Sequence, residues 1–277
     1  LTTKPIVIMP GFADGTNADV YKLEGLIKAN SGKYDFISGS LLWEATPKVT
    51  STGADIYMSR KAFTDFTDGL WFEDFGTALE NNYAAATGDG VKIYNKTGYI
   101  ADEESFRHIM ASLAGNVYAN INQRENDIAN AFENSLHLMQ NSTNNTKENV
   151  KVNIIAGKGT LSENTDGVVG YDYETTGVLA LREIERTYKH TFGYSLGYLH
   201  TNFAFEDGNN SEEDADTIQL GAHSKYRSND WILRNDLTGR VSIHNIDRNL
   251  DWSNAGRSEM NGKYEAYSIT SDNNLGK

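Results

Sequence analysis

Gly193-Tyr194-Ser195-Leu196-Gly197 forms a G-x-S-x-G pattern inside the stretch TFGYSLGYLHTNFAF. In serine hydrolases this spacing places a nucleophilic hydroxyl on a strained strand-to-helix turn, where a nearby histidine takes its proton. The chain has six histidines that could serve as the base, but no His or Asp carries a supporting pattern. The motif also sits within one alternating run. Phe192, Tyr194, Leu196 and Tyr198 fall on one side, and Gly193, Ser195 and Gly197 on the other. Strand-like sequence continues from Thr201 to Phe205 with no helical period. The stretch therefore reads as a β-wall with large residues outward and small residues inward, and no catalytic residue is assigned. DGNNSEEDAD resembles a calcium loop only faintly. Glu212 stands where the loop needs glycine, and Ile218 where it needs a bidentate glutamate, so it reads as a solvated outer loop.

Composition narrows the rest. The 277 residues carry a formal charge of -13, which argues against a nucleic-acid partner. Cysteine is absent, so disulfides and thiolate metal sites are excluded. No metal or cofactor is read from the sequence. No signal peptide is read at Leu1, and no apolar run is long enough for a membrane-spanning helix. Spanning barrels escape that test, because their strands alternate apolar and polar residues. The 15 tyrosines outnumber the 11 phenylalanines, which suits aromatic girdles at a membrane interface.

Three segments must position these residues. Residues 1–69 hold short strand-like pieces, such as PIVIM and ADIYMSRKAF, separated by turns such as GFADGTNAD and ANSGK. Residues 70–148 are helical. Phe106, Met110, Leu113, Val117, Ile121, Ile128, Phe132, Leu136 and Met139 recur at mostly helical spacings, with Gly115 as a break and NSTNNTKEN as a polar end. The stretch from Ile121 to Met139 is expected as a helix enclosed by the strands of the complete barrel, touching a polar interior through residues such as Asn126, Asn130 and Glu133.

Residues 149–277 contain six long alternating strands, at about 149–158, 170–185, 190–206, 215–227, 230–245 and 263–275. Their length meets the roughly 9–11 residues needed to cross a membrane at a tilt. In the second strand Tyr171, Tyr173, Leu179 and Leu181 oppose Asp172, Glu174, Thr176 and Arg182. In the fourth and fifth, apolar positions such as Ile218, Leu220, Val241 and Ile243 oppose His223, Lys225, Arg234, Asp236, Arg240 and His244. In a barrel the charged face lines a wet interior and the apolar face meets lipid. Arg182, His223, Lys225, Arg234 and Arg240 are thus the candidate lumen-facing groups. The connectors run long, short, long, short, long, as expected of external loops alternating with periplasmic turns.

Taken together, these segments resemble the C-terminal part of a type V autotransporter. SGSLLWEATPKVTSTGADIYMSRKAFTDF resembles the end of a passenger stalk. IMASLAGNVYANINQR is similar to the helix leading into the barrel, and GYDYETTGVLALREIERTYKHTFGYSLGYLHTNF to the second and third translocator strands. The resemblance implies a mainly β chain: a β-helical passenger end (1–69), a linker α-helix (70–148), and the N-terminal half of an antiparallel transmembrane β-barrel (149–277). It implies an outer-membrane anchor and exporter, not an enzyme. Its partners would be outer-membrane lipid, the barrel assembly machinery and its own upstream passenger. The family barrel has twelve strands and ends in an aromatic residue. This sequence has about six and ends NNLGK, so it reads as an internal fragment. The alternatives are a surface β-sandwich adhesin, or the C-terminal part of a subtilisin-like protease autotransporter with an upstream catalytic head.

Overall fold

The computed structural model describes residues 6–8, 20–28, 36–142, 146–162 and 165–276. The expected turns GFADGTNAD and ANSGK, and Asn144 of the polar linker, lie outside the described residues. The chain forms two compact units, one of residues 1–116 with 250–258, the other of 117–249 with 259–277.

In the first unit, strands β1 (Ile6–Ile8) and β3 (Phe36–Ser38) pair in parallel. Strands β2 (Val20–Lys28), β4 (Trp43–Thr50) and β5 (Gly53–Arg60) form an antiparallel sheet with β5 in the middle. Ala54, Ile56 and Met58 alternate into the core from β5, as a strand with one covered face requires. Helices α1 (Glu73–Asn82), α2 (Asp89–Thr97) and α3 (Glu103–Leu113) follow. Asp102 caps α3 by accepting from the Ser105 amide at 2.8 Å. Gly115, at φ +87°, supplies the left-handed residue beyond the helix end. Arg60 grips Glu80 with two hydrogen bonds of 2.8 and 2.6 Å and lies 4.0 Å from the Tyr83 ring centre. The Arg60 hydrogen bonds hold the Glu80 carboxyl below the usual carboxylate range.

The second unit is one helix and one sheet. Helix α4 (Ile121–Asn141) precedes β6 (Glu148–Leu161), β7 (Tyr171–Thr187), β8 (His190–Phe205), β9 (Glu212–Ser228), β10 (Trp231–Asp251) and β11 (Arg257–Gly276). The strands lie in sequence order in one six-stranded sheet. Neighbouring strands from β6 to β10 pair antiparallel. All six expected strands are present. The last three extend further than expected, because alternation continues through residues that looked like loop.

The helical segment 70–148 is divided between the units: α1 to α3 belong to the first and α4 to the second. The expected β-helical coil also differs from what is described, since the three-stranded sheet of the first unit is antiparallel.

Ile128, Phe132, Leu136 and Met139 run down one side of α4 and pack on Tyr171, Leu179, Leu181, Leu199 and Phe203 of the sheet. The opposite stripe, Asn122, Asn126, Asn130, Asn134 and Leu138, is exposed. The helix is therefore embraced rather than enclosed among the described residues. In this six-stranded sheet Asn126 and Asn130 are exposed, whereas Glu133 lines a small cavity with Thr238 and Thr270. The two asparagines fall one turn-face away from the side that meets the sheet.

Candidate functional site

The glycines and serine of GYSLG are explained by where β8 stands. A Cβ at Gly197 would lie 2.6 Å from the Phe132 ring of α4 and 2.7 Å from Leu179, so this position seats the helix. Ser195 lies on the same face, 4% exposed. Its Oγ is 2.7 Å from His223 Nε2, and His223 Nδ1 is 2.8 Å from Asp236 Oδ1, which also accepts from Gln140 of α4. This is a hydroxyl–imidazole–carboxylate relay across three adjacent strands. Sequence reading missed it because the partners meet only through the register: His223 stands directly opposite Asp236, and Ser195 opposite Gly221. A Cβ at Gly221 would lie 2.5 Å from Ser195 Oγ, so that glycine makes room for the relay.

A second polar cluster surrounds the N-terminal half of α4. Arg124 is fully buried. It reaches both carboxylate oxygens of Glu213 at 3.1 Å, the Val117 carbonyl at 2.9 Å, the Asn120 side chain, and the Tyr264 hydroxyl. His244 places one ring nitrogen 2.8 Å from Glu213 and the other 2.6 Å from Glu125 of α4, and its ring stacks on Tyr264 at 4.3 Å. Tyr171 donates to Asp127 of α4 at 2.6 Å, and Asn153 donates to Ser135 at 2.8 Å. With Phe132 against Gly197 of β8, α4 meets side chains or backbone of every strand. A sheet whose six strands all reach one helix must curl around it.

The ends of the helix are matched in charge. Lys151 donates to the Met139 carbonyl at 2.7 Å and to the Ser142 carbonyl at 3.2 Å, and Lys225 to the Gln140 carbonyl at 3.3 Å. Arg234 bonds the Asn141 side chain. Cations on the last carbonyls, and Glu213 near the first turns, complement the helix dipole. The N-terminal half of α4 lies toward the long connectors and its C-terminus toward the short turns at 188–189 and 229–230.

Of the five sequence candidates, His223, Lys225, Arg234 and Arg240 share the helix-facing side; Arg240 reaches Gln219 and Thr270. Arg182 does not. It is on the outer face, paired with exposed Glu148 at 2.6 Å. The correction has a physical cause. Tyr171, Leu179 and Leu181, expected to face lipid, point inward, because the α4 residues they meet are Ile128 and Phe132. The interior is apolar there, so the parity of β7 is reversed. Glu213, read as part of a solvated loop, is the most enclosed carboxylate of the cluster at 1% exposed.

The outer face is ordered in rows. Ile154, Val178, Tyr198, Ile218 and Val241 are successive cross-strand partners, and so are Val152, Ala180, Leu196, Leu220 and Gly239. The belt begins near the short turns with Tyr226 and Trp231. From Trp231 to Val241 it runs about 34 Å along the strand at roughly 3.4 Å per residue. At a tilt of about 40° that stands about 26 Å tall, close to the roughly 25 Å band of spanning barrels. Beyond it the rows turn polar apart from Ile243: Asp216 pairs with His200 and Ile243, and Asp214 with Asn202 and Asn245.

Residues 150–277 match the family model of the autotransporter beta-domain, and residues 1–62 match that of the BigA beta sandwich domain. No curated protein and no solved structure matches the chain. The N-terminal match is to a sandwich domain, in keeping with the antiparallel sheet there. A curled antiparallel sheet with an apolar outer belt, a helix in its hollow and the family match over the same residues lead to one identification: residues 150–277 are a type V autotransporter β-domain, a family of outer-membrane β-barrel translocators that expose a passenger at the cell surface.

Proposed function

We propose that this β-domain exports the polypeptide N-terminal to it, and that α4 is the segment left in its hollow once export is complete. Residues 1–116 then stand outside as the end of the passenger, tethered by α4. The observation that carries this is the direction and fit of α4. Its start is bound by Arg124–Glu213 toward the long connectors, and its end is held by Lys151, Lys225 and Arg234 toward the short turns. The apolar belt is the surface for outer-membrane lipid, and the barrel assembly machinery is the partner that inserts the strands. His223, Lys225, Arg234 and Arg240 serve as wall groups that hold the helix or solvate the hollow.

The Ser195 relay is read as structural. Acyl transfer needs free donors for the developing oxyanion, and the backbone around Ser195 is committed to pairing with β7 and β9. For the passenger, the match of residues 1–62 to a β-sandwich domain favours a surface adhesin-type module over the protease alternative.

The test is labelling of Val49→Cys, an exposed position of the first unit, with a membrane-impermeant maleimide on intact cells. Labelling is expected without permeabilisation. Labelling that requires a permeabilised outer membrane would overturn the export reading.

A further inference from the structure

The Ser195–His223–Asp236 relay leaves one atom unused. Asp236 is 5% exposed, and its Oδ1 is held by His223 at 2.8 Å and by Gln140 at 2.8 Å. Its Oδ2 is buried with no hydrogen-bond partner. A buried carboxylate oxygen without a donor is costly, because desolvation is not offset. The oxygen belongs to a side chain lining a cavity of about 10 Å³, together with Glu133 and His137 of α4, Thr238 of β10, and Thr270 and Asp272 of β11. A space of this size, about one water, also admits a single ion.

His137, Asp236 and Asp272 each present one ligand atom here, and the three atoms lie within 4.8 Å of one another. His137 Nε2 is 3.5 Å from Asp272 Oδ2, which also accepts from Asn274. We propose that this cavity binds one divalent transition-metal ion, with His137, Asp236 and Asp272 as ligands. An imidazole with two carboxylates suits zinc, manganese or iron(II); calcium and magnesium take oxygen ligands alone. The His137–Asp272 pair already has nearly the spacing of a tetrahedral site, where bonds of about 2.0–2.2 Å put ligand atoms about 3.4 Å apart. Glu133 on the same wall adds charge, and the three carboxylates outnumber the guanidinium of Arg240, which bonds Thr270 nearby.

The relay acquires a role in this arrangement. His223 and Gln140 fix one oxygen of Asp236 and so aim the other, and Ser195 fixes the His223 ring. Such outer partners orient metal ligands in general. The ligands come from the helix and two strands, so the ion clamps α4 to β10 and β11 independently of the Arg124 cluster. A metal would thus strengthen the hold on a helix that must sit in the hollow while the chain is tethered.

The full chain, refolded in detergent and freed of metal with a chelator, is titrated with zinc chloride by calorimetry, and with cobalt(II) while its visible absorption is followed. One ion per chain is expected, with a low-coordinate cobalt spectrum. His137→Ala and Asp272→Asn, both at half-exposed positions that leave Asp236 and the relay in place, are each expected to weaken binding at least tenfold. His200→Ala, which removes the exposed imidazole beside Asp214 and Asp216, is expected to leave it unchanged. Absence of stoichiometric binding would overturn the proposal. So would binding that survives His137→Ala, is lost in His200→Ala, or is matched by magnesium or calcium.

Discussion

The two faces of the six-stranded sheet carry similar alternating sequence but are built by different rules. The outer face runs in rows: aliphatic residues and tyrosines dominate the belt, interrupted by Arg182 beside Tyr194 and by Ser224 beside Asn235, and acids, amides and His200 lie past it. Its partner is a solvent, and a solvent asks the same of every strand at a given depth. The inner face is local. It is apolar where Phe132 and Ile128 lean on β7 and β8, ionic where Arg124 meets Glu213, and basic where the helix ends. Its partner is one asymmetric helix, so each position answers to the group it touches. Lesions in the two faces should therefore fail in different ways.

The largest effect is expected inside. Arg124→Ala leaves Glu213 buried without its fork, a loss of about 3–5 kcal/mol for a broken buried pair. The chain refolded in detergent should melt at clearly lower temperature, and the same loss should follow in detergents of different chain length, because no lipid contact changes. Outside, Leu196→Arg puts a cation in the belt at a cost of about 2–4 kcal/mol near the bilayer midplane. Here the defect should appear in vesicle insertion and be nearly absent when the same substitution is made at Asn202, three rows further out. An equal defect at both sites would break the distinction drawn between belt and polar rows. The smallest effect is expected at Ser195→Ala, which removes one hydroxyl from the relay, about 1 kcal/mol for a single hydrogen bond. A fluorophosphonate probe should leave Ser195 unmodified; labelling of the parent that disappears in Ser195→Ala would make the relay catalytic.

The outer face was the legible one. Six strands could be laid out from alternation and all six are found; in β8 to β10 the expected apolar set lies outside, where the rows form. Legibility failed where the inner partner, not water, set the residue type. Arg182 was assigned inward because it opposes Leu181, yet Leu181 is the inward residue, held by the apolar stripe of α4. Glu213 looked like loop because acids surround it, whereas strict alternation buries it and exposes Glu212 and Asp214. The Ser195, His223 and Asp236 relay and the His137, Asp236 and Asp272 group needed strand register to bring together residues up to 135 positions apart. Period-two patterning says which residues share a face, and register alone says which of them touch. The Gly115 break was legible from the glycine itself, although the spacing of Leu113, Val117 and Ile121 runs on through it, but the partition of the helices between two units was not, since it depends on packing partners.

The central claim is that α4 lies in the hollow of the translocator sheet. Ser135 of α4 and Asn153 of β6 touch at 2.8 Å across that boundary. Replacing both by cysteine in this cysteine-free chain, and oxidising intact cells that carry the inserted protein, tests the placement directly. The account predicts a disulfide that shifts gel migration on reduction, formed in the pair but not when the second cysteine is moved from position 153 to outward-facing Arg182. Failure of the 135–153 pair to crosslink in the inserted protein, or equal crosslinking to position 182, would contradict it.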